Sequence, residues 1–171
     1  MSEKESNIFI GLGTNIGNKE ENLKNTIDEI KKVAEVLVCS AIYETEPIGL
    51  ANQPLFYNQV LEIHTLLNPE ALLVALKDIE KRLGRVPTVR NGPRSIDADI
   101  LYYNNVIMKT ESLSIPHLRA TERAFVLVPL HDIAAEFIDS VKKKTIHELV
   151  EELPEEEKRK VKQIVPTSQY S

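Results

Sequence analysis

The chain is poor in several things at once. Its 171 residues include no tryptophan, only 5% are aromatic, and Cys39 is the one cysteine. A single thiol excludes an internal disulfide and fits a reducing compartment, so the expected location is the cytoplasm. No apolar run approaches the roughly 20 residues that a membrane-spanning helix needs. The opening Met-Ser-Glu-Lys-Glu-Ser lacks the apolar segment of a secretory signal. Neither an internal repeat nor a low-complexity stretch is present. Positive charge is also in deficit. The 21 Lys and Arg against 26 Asp and Glu leave a formal charge of −5, which disfavours unspecific binding to polyanions. What remains is ordinary for a globular chain, 42% hydrophobic and 27% charged. The length suits a single domain over 1–171, with a charged helix or tail from about 151.

Against that background one stretch stands out, Gly92-Pro-Arg-Ser-Ile-Asp-Ala-Asp-Ile-Leu-Tyr-Tyr103. A Gly-Pro turn signal precedes a run of strand formers. On a strand from Asp97 to Tyr103, alternation puts Asp97 and Asp99 on one face and Ile96, Ala98 and Ile100 on the other, in a core. Two neighbouring carboxylates repel, and oxygen-only ligands favour a hard cation such as Mg²⁺. The bland alternative is an edge strand with two solvated acids. Upstream, Arg85, Arg90 and Arg94 fall within ten residues of a proline-broken loop, in a chain of net negative charge. Beside an acid pair, such a cluster fits a polyphosphate.

The rest of the chain reads as alternating strands and helices. Asn7 to Leu12 is a predicted strand running into Gly11-Leu-Gly-Thr-Asn-Ile-Gly17. The spacing is Gly-x-Gly-x-x-x-Gly, not that of a dinucleotide loop, and suggests a tight strand-to-helix turn whose glycines admit another group to the backbone. Asn18 caps a helix with the stripe Leu23, Ile27 and Ile30, and Val36 to Thr45 forms one strand. A long loop through Pro47 and Pro54 leads to a strand from Leu55 to Thr65. There Phe56 and Asn58 share a face, a plane and a carboxamide suited to a flat heterocycle. Asn68-Pro-Glu70 starts a helix with Leu72, Leu76, Ile79 and Leu83 buried, Gly84 as its stop, and Glu80 at the stripe's edge as a salt-bridge residue. A short hairpin marked by Asn104-Asn105 precedes Pro116-His117. Thr121 is a candidate cap for a helix to about Phe137, and Ile146 to Leu153 is the last helix.

Several of these pieces agree with one family. The chain resembles 6-hydroxymethyl-7,8-dihydropterin pyrophosphokinases from Gly11 to about Ala135. The resemblance rests on Gly11-Leu-Gly-Thr-Asn-Ile-Gly17, Tyr43-Glu-Thr-Glu-Pro-Ile-Gly49, Gln53-Pro-Leu-Phe-Tyr-Asn58, Glu80 to Arg85, Gly92-Pro-Arg-Ser-Ile-Asp-Ala-Asp-Ile100, and Ile115-Pro-His117 through Arg123-Ala-Phe125. It implies an α+β fold, ferredoxin-like, with a mostly antiparallel sheet and helices on both faces in three layers. It implies transfer of pyrophosphate from ATP to a pterin alcohol with release of AMP, in folate synthesis, by a monomer whose partners are small molecules, with no nucleic acid and no membrane. Asp97 and Asp99 match the acids that hold two Mg²⁺. Thr45, Ile48, Phe56, Asn58 and Phe125 match positions around the pterin. Glu80, Arg85, Arg94, Ile100, His117 and Arg123 match positions at ATP, Ile100 near the adenine. Arg85 and Arg94 are the catalytic candidates, with Asp97 as a candidate acceptor of the alcohol proton.

Three departures from the family pattern are visible. The Arg85 to Arg94 loop is about one residue short, with Pro87 near where a second arginine is common and Asn91 where a tryptophan is common. Glu46 replaces a frequent proline, and Leu118 replaces a frequent tyrosine. Two other function classes compete with the enzyme: a ferredoxin-like RNA-binding module and a Mg²⁺-dependent nuclease. The net charge and the lack of an RNA-recognition aromatic motif oppose the first, and indifference to pterin would mark the second. If the loop arginines act on phosphate, Arg94→Ala lowers turnover strongly and leaves pterin affinity little changed; steady-state kinetics with both substrates varied measure both, and a near-normal rate refutes the role.

Overall fold

In the computed structural model, which describes residues 7–46, 54–83 and 96–165, the chain begins with β1 (Ile8–Thr14), α1 (Lys19–Ile30), β2 (Glu35–Cys39), β3 (Ile42–Thr45) and β4 (Phe56–His64). Next come α2 (Pro69–Arg82) and β5 (Asp97–Tyr103). A small hairpin of β6 (Met108–Lys109) and β7 (Ser114–Ile115) leads through a single 3-10 turn at Ala120–Glu122 to α3 (Ala124–Ala134). A second ribbon, β8 (Ile138–Asp139) and β9 (Lys144–Thr145), precedes α4 (Ile146–Glu151), α5 (Glu155–Arg159) and β10 (Val161–Val165).

The main sheet runs β10-β3-β4-β1-β5, with β2 also on β4, and its described pairings are all antiparallel. The order β1-α1-β2/β3-β4-α2-β5, with β1 between β4 and β5, is the split βαβ arrangement of a ferredoxin-like fold. Alternation along β1 sorts the two faces. Ile8, Ile10 and Leu12 point to a core shared with Leu23, Ile27 and Ile30 of α1 and Leu72, Leu76 and Ile79 of α2. Phe9 points the other way, to Leu127 and Leu130 of α3 and to Ile146 and Leu149 of α4. The three-layer α+β class expected from the sequence is therefore the one observed.

Local chemistry explains the helix starts. The Asn18 side chain accepts from the Glu21 N–H at 3.1 Å, and Asn68 accepts from Ala71 N–H at 2.8 Å with Pro69 in the first turn. Gly84 lies outside the described residues. Cys39 is buried, and burial pushes its thiol up to about 11, so it stays protonated and inert at neutral pH. No helix among the described residues is long and apolar enough to cross a membrane.

Three expectations need correction. The single strand from Val36 to Thr45 is two strands. The break falls at Ser40, whose hydroxyl accepts from Val60 N–H at 2.9 Å and donates to Ala41 O at 2.7 Å, standing in for the backbone. Thr121 caps nothing: it lies in the 3-10 turn, while α3 starts at Ala124 behind Arg123 without a side-chain cap and ends at Ala134, short of Phe137. The charged tail is not one solvated helix. Past the end of α4 at Glu151, the described residues hold a short helix at Glu155–Arg159, and the next ones form β10 on the edge of β3. Lysines interleaved with Val161 and Ile164 had masked the strand pattern.

The register of β1 on β5 shifts between Phe9 and Ile10, so that Ile10 pairs Ile100, Phe9 pairs Tyr102, and Leu101 is the extra residue. Leu101 and Tyr102 consequently both pack on the α3 side. Tyr102 meets Phe9 and Phe137 edge-on, with ring centroids 6.4 and 5.0 Å away. Its hydroxyl donates to Asp139 Oδ2 at 2.6 Å, and Asp139 Oδ1 accepts from the N–H groups of Val141 and Lys142. Both Tyr102 and Asp139 are buried. Tyr102→Phe strands the Asp139 oxygen, so the expected loss is about 1–3 kcal/mol in urea unfolding at unchanged slope; a loss below about 0.5 kcal/mol would mean that water replaces the hydroxyl.

Candidate functional site

The cleft is made by missing side chains. After Phe9, the residues of β1 that face α3 are Gly11 and Gly13. In register, Gly13 lies between Asn58 of β4 and Asp97 of β5, and Gly11 lies between Val60 and Asp99. Cross-strand partners share a face, so Asn58 and Asp97 look across a bare strip of backbone. A Cβ on Gly13 would stand 3.0 Å from Asn58 Nδ2, and one on Gly11 would stand 3.2 Å from Leu101 Cδ2. The result is a cleft of about 280 Å³ lined by these residues and by Thr45, Phe56, His117, Arg123 and Phe125. The sequence reading ended the strand at Leu12 and left Gly13 to the turn, but β1 continues to Thr14. Only Gly17, at φ +69°, serves the turn into α1. Asn22 holds that turn, donating to Thr14 Oγ1 at 3.2 Å and Ile16 O at 2.8 Å.

One wall carries the acids. Asp97 and Asp99 project to the same side of β5, half-buried, while Ala98 and Ile100 are buried beneath. The Ala98 N–H, between the two acids, donates to Glu80 Oε2 of α2 at 2.8 Å. The same oxygen takes the Lys77 ammonium at 3.1 Å, and Lys77 Nζ reaches to 3.8 Å from Asp99 Oδ1. Among the described residues no group of three or more His, Cys, Asp or Glu is poised for a metal. A two-carboxylate set suits Mg²⁺, which keeps several waters and is commonly completed by substrate phosphates. The donor chemistry therefore fits that ion.

The other wall is aromatic and polar. Thr45 Oγ1 donates to Asn58 Oδ1 at 2.6 Å, which turns the Asn58 amide nitrogen toward Gly13 and the cleft. Phe56 stands on the same face two residues away. The Arg123 guanidinium lies 5.4 Å from the centre of the Phe125 ring, at the start of α3. His117 is tied to β5 by its N–H on Leu101 O at 2.9 Å. Burial, then the charges of Arg123 and Lys77, hold its imidazole below the usual range despite the opposing pull of Asp99, so it is neutral at pH 7. The Arg119 N–H donates to Nδ1 at 3.3 Å, which leaves the proton on Nε2 as a donor.

Seven of the expected site residues thus line one cleft: Thr45, Phe56, Asn58, Asp97, Asp99, His117 and Arg123, with Phe125 as an eighth. Ile48, Arg85 and Arg94 lie outside the described residues. Ile100 turns its side chain into the core, so only its backbone could meet a ligand, and Glu80 is 1% exposed and faces the strand. Sequence reasoning missed Lys77. Its only signal was a position one turn before Glu80, indistinguishable from an ordinary surface pair.

Residues 9–135 match the family described as 7,8-dihydro-6-hydroxymethylpterin-pyrophosphokinase (HPPK). The chain belongs to this family. It is similar to the 2-amino-4-hydroxy-6-hydroxymethyldihydropteridine pyrophosphokinase of Bacillus subtilis, at 46% identity over 127 residues, covering 73% of this chain and 76% of that protein. It is also similar to the folic acid synthesis protein of Pneumocystis carinii, at 45% identity over 138 residues, covering 78% of this chain and 18% of that protein. The chain spans about a fifth of the length of the folic acid synthesis proteins it matches. In fold it is similar to Plasmodium falciparum HPPK-DHPS crystallised with pteroate, with a TM-score of 0.72 at 18% identity over 95% of this chain and 47% of that one. The HPPK match covers β1 through α3, the elements that build the cleft.

Gly13→Ala tests the floor of the HPPK cleft. The added methyl displaces the Asn58 carboxamide, so its side-chain amide resonances shift and the Thr45 bond is lost, while stability changes by less than about 1 kcal/mol. Unmoved Asn58 resonances would show that the strip has spare room.

Proposed function

We propose that this chain transfers a pyrophosphoryl group from ATP to the hydroxymethyl oxygen of 6-hydroxymethyl-7,8-dihydropterin, releasing AMP, in folate synthesis. The observation that carries the reading is the facing of Asp97 and Asp99 against Asn58 and Phe56 across Gly11 and Gly13. That arrangement sets a phosphate-side wall and a flat-ring wall side by side, in a chain of the HPPK family.

In this reading Phe56 and Phe125 take the faces of the pterin ring, and Asn58 and Thr45 take its edge by hydrogen bonds. The family resemblance adds Ile48 to the residues assigned to the pterin. Asp97 and Asp99 would hold two Mg²⁺ between them, which when bound neutralise triphosphate charge and acidify the alcohol. Arg123 and the Nε2–H of His117 meet phosphate oxygens, as do Arg85 and Arg94 from the loop. The alcohol oxygen attacks the β-phosphorus, the bond from that phosphorus to the oxygen bridging it to the α-phosphorus breaks, and AMP departs. Asp97 is a candidate acceptor for the alcohol proton. Such a transfer needs alignment and charge neutralisation more than covalent help, which is what two opposed walls supply. Glu80, behind the acid strand, and the backbone of Ile100, within it, are assigned to the nucleotide side. The proposal includes residues 1–171 as one domain, acting as a monomer in the cytoplasm on small molecules, without nucleic-acid or membrane partners.

Purified protein given ATP, Mg²⁺ and the hydroxymethyl-dihydropterin is expected to form AMP and pterin pyrophosphate in equal amounts. Asp97→Ala and Asp99→Ala each lower kcat by about a thousandfold, equivalent to roughly 4 kcal/mol of transition-state stabilisation, with unfolding midpoints near that of the parent. Formation of ADP, or Mg²⁺-dependent cleavage of RNA or DNA with indifference to pterin, overturns the proposal.

A further inference from the structure

Lys77 is a cation beside the acid strand, among the described residues, that the proposed chemistry leaves without a task. It rises from α2, on the turn before Glu80, and its ammonium is held by Glu80 Oε2 at 3.1 Å. That oxygen also binds the Ala98 N–H at 2.8 Å, so one buried carboxylate ties the lysine to the backbone between the two acids. Nζ then stands 3.8 Å from Asp99 Oδ1. The Lys77 and Asp99 side chains are 44% and 49% exposed, so as a stabilising bridge their pairing contributes little. Its consequence falls on any other cation that approaches Asp99.

We infer that Lys77 is a tethered counter-ion that competes with divalent cations for Asp99, so that the carboxylate pair binds metal weakly until a nucleotide arrives. The inference rests on the proposed role of Asp97 and Asp99 as metal ligands. A divalent ion on Asp99 lies within a few ångströms of the ammonium, and two like charges at that range repel appreciably even in a water-like dielectric. Glu80 is itself held by the Ala98 N–H, so the acceptor that draws the lysine toward Asp99 stays in place. A triphosphate changes the balance: its oxygens bring negative charge to the cation and offer Lys77 another acceptor. Metal and nucleotide therefore bind with positive coupling, and a free carboxylate pair is not a site for stray divalent ions.

The test is direct Mn²⁺ binding to the full chain without nucleotide, followed by electron paramagnetic resonance at low ionic strength. Lys77→Gln keeps a polar group for Glu80 and removes the charge, so it is expected to bind Mn²⁺ about three- to tenfold more tightly than the parent. Lys77→Arg, which keeps the charge, restores parental affinity. The gap between Lys77→Gln and the parent narrows as salt is raised, and again when a non-hydrolysable ATP analogue is present. Equal or weaker binding by Lys77→Gln overturns the inference and makes Lys77 a structural partner of Glu80. Asp99→Asn separates this failure from a deeper one. If it binds Mn²⁺ as the parent does, the metal reading itself is wrong; if it loses binding while Lys77→Gln behaves as the parent, only the counter-ion role fails.

Discussion

Gly11 and Gly13 leave the middle of the sheet without side chains on one face, between Val60 and Asp99 in one row and Asn58 and Asp97 in the next. Glycine inside a strand costs about 0.5–1 kcal/mol relative to alanine, and here it occurs twice on a strand flanked on both edges. The cost is tolerable because the opposite face of the same strand is fully committed. Ile10 and Leu12 are buried against α1 and α2, so the position of β1 does not depend on what lies above its glycines. Everything else about the cleft follows from that asymmetry. Residues on β4 and β5 that would be separated by an intervening side chain instead face one another over a flat floor, and the start of α3, with Phe125 and Val126, lines the cleft above it.

The acid wall depends on a second constraint, the buried Glu80. A carboxylate at 1% exposure is stable only if its oxygens are satisfied, and one of them receives both the Ala98 N–H and the Lys77 ammonium. Because Ala98 sits between Asp97 and Asp99, the helix fixes the strand at the point where two like charges are closest. The same oxygen sets where Lys77 can reach. Core packing, strand position and the local charge at Asp99 are thus coupled through one atom, which explains why a residue classed by its spacing as a boundary salt bridge bears on the site.

Much of the architecture was legible because its signals are local. Asn18 and Asn68-Pro69 announced the helix starts, the 3.6-residue spacing of Leu72, Leu76 and Ile79 announced a buried face, and period-two alternation put Asp97 and Asp99 together. Signals failed where tertiary pairing overrode composition. β10 exists because β3 offers an open edge, not because Val161–Val165 reads as a strand among lysines. Tyr102 leaves the alternation begun at Asp97 because the extra residue Leu101 resets the register. Lys77 and the strand position of Gly13 were invisible for a related reason. Their meaning lies in what stands across from them in space, and pattern within one segment carries no information about that.

The two faces of the sheet divide stability from chemistry along its length. The α1 and α2 face is packed from Ile8 to Leu12, whereas the α3 and α4 face is packed only at the Phe9 end and opens at the Gly13 end. The register shift at Leu101 lies at the boundary between the two regimes, and the carbonyl of that extra residue is the one that accepts the His117 N–H. A bulge leaves backbone groups outside the regular ladder, and here one of them anchors His117, which lines the cleft. The feature that ends the packed half therefore also positions the donor on the open half. A substitution that removed the bulge by deleting Leu101 would move Tyr102 out of its aromatic cluster and His117 off its strand together.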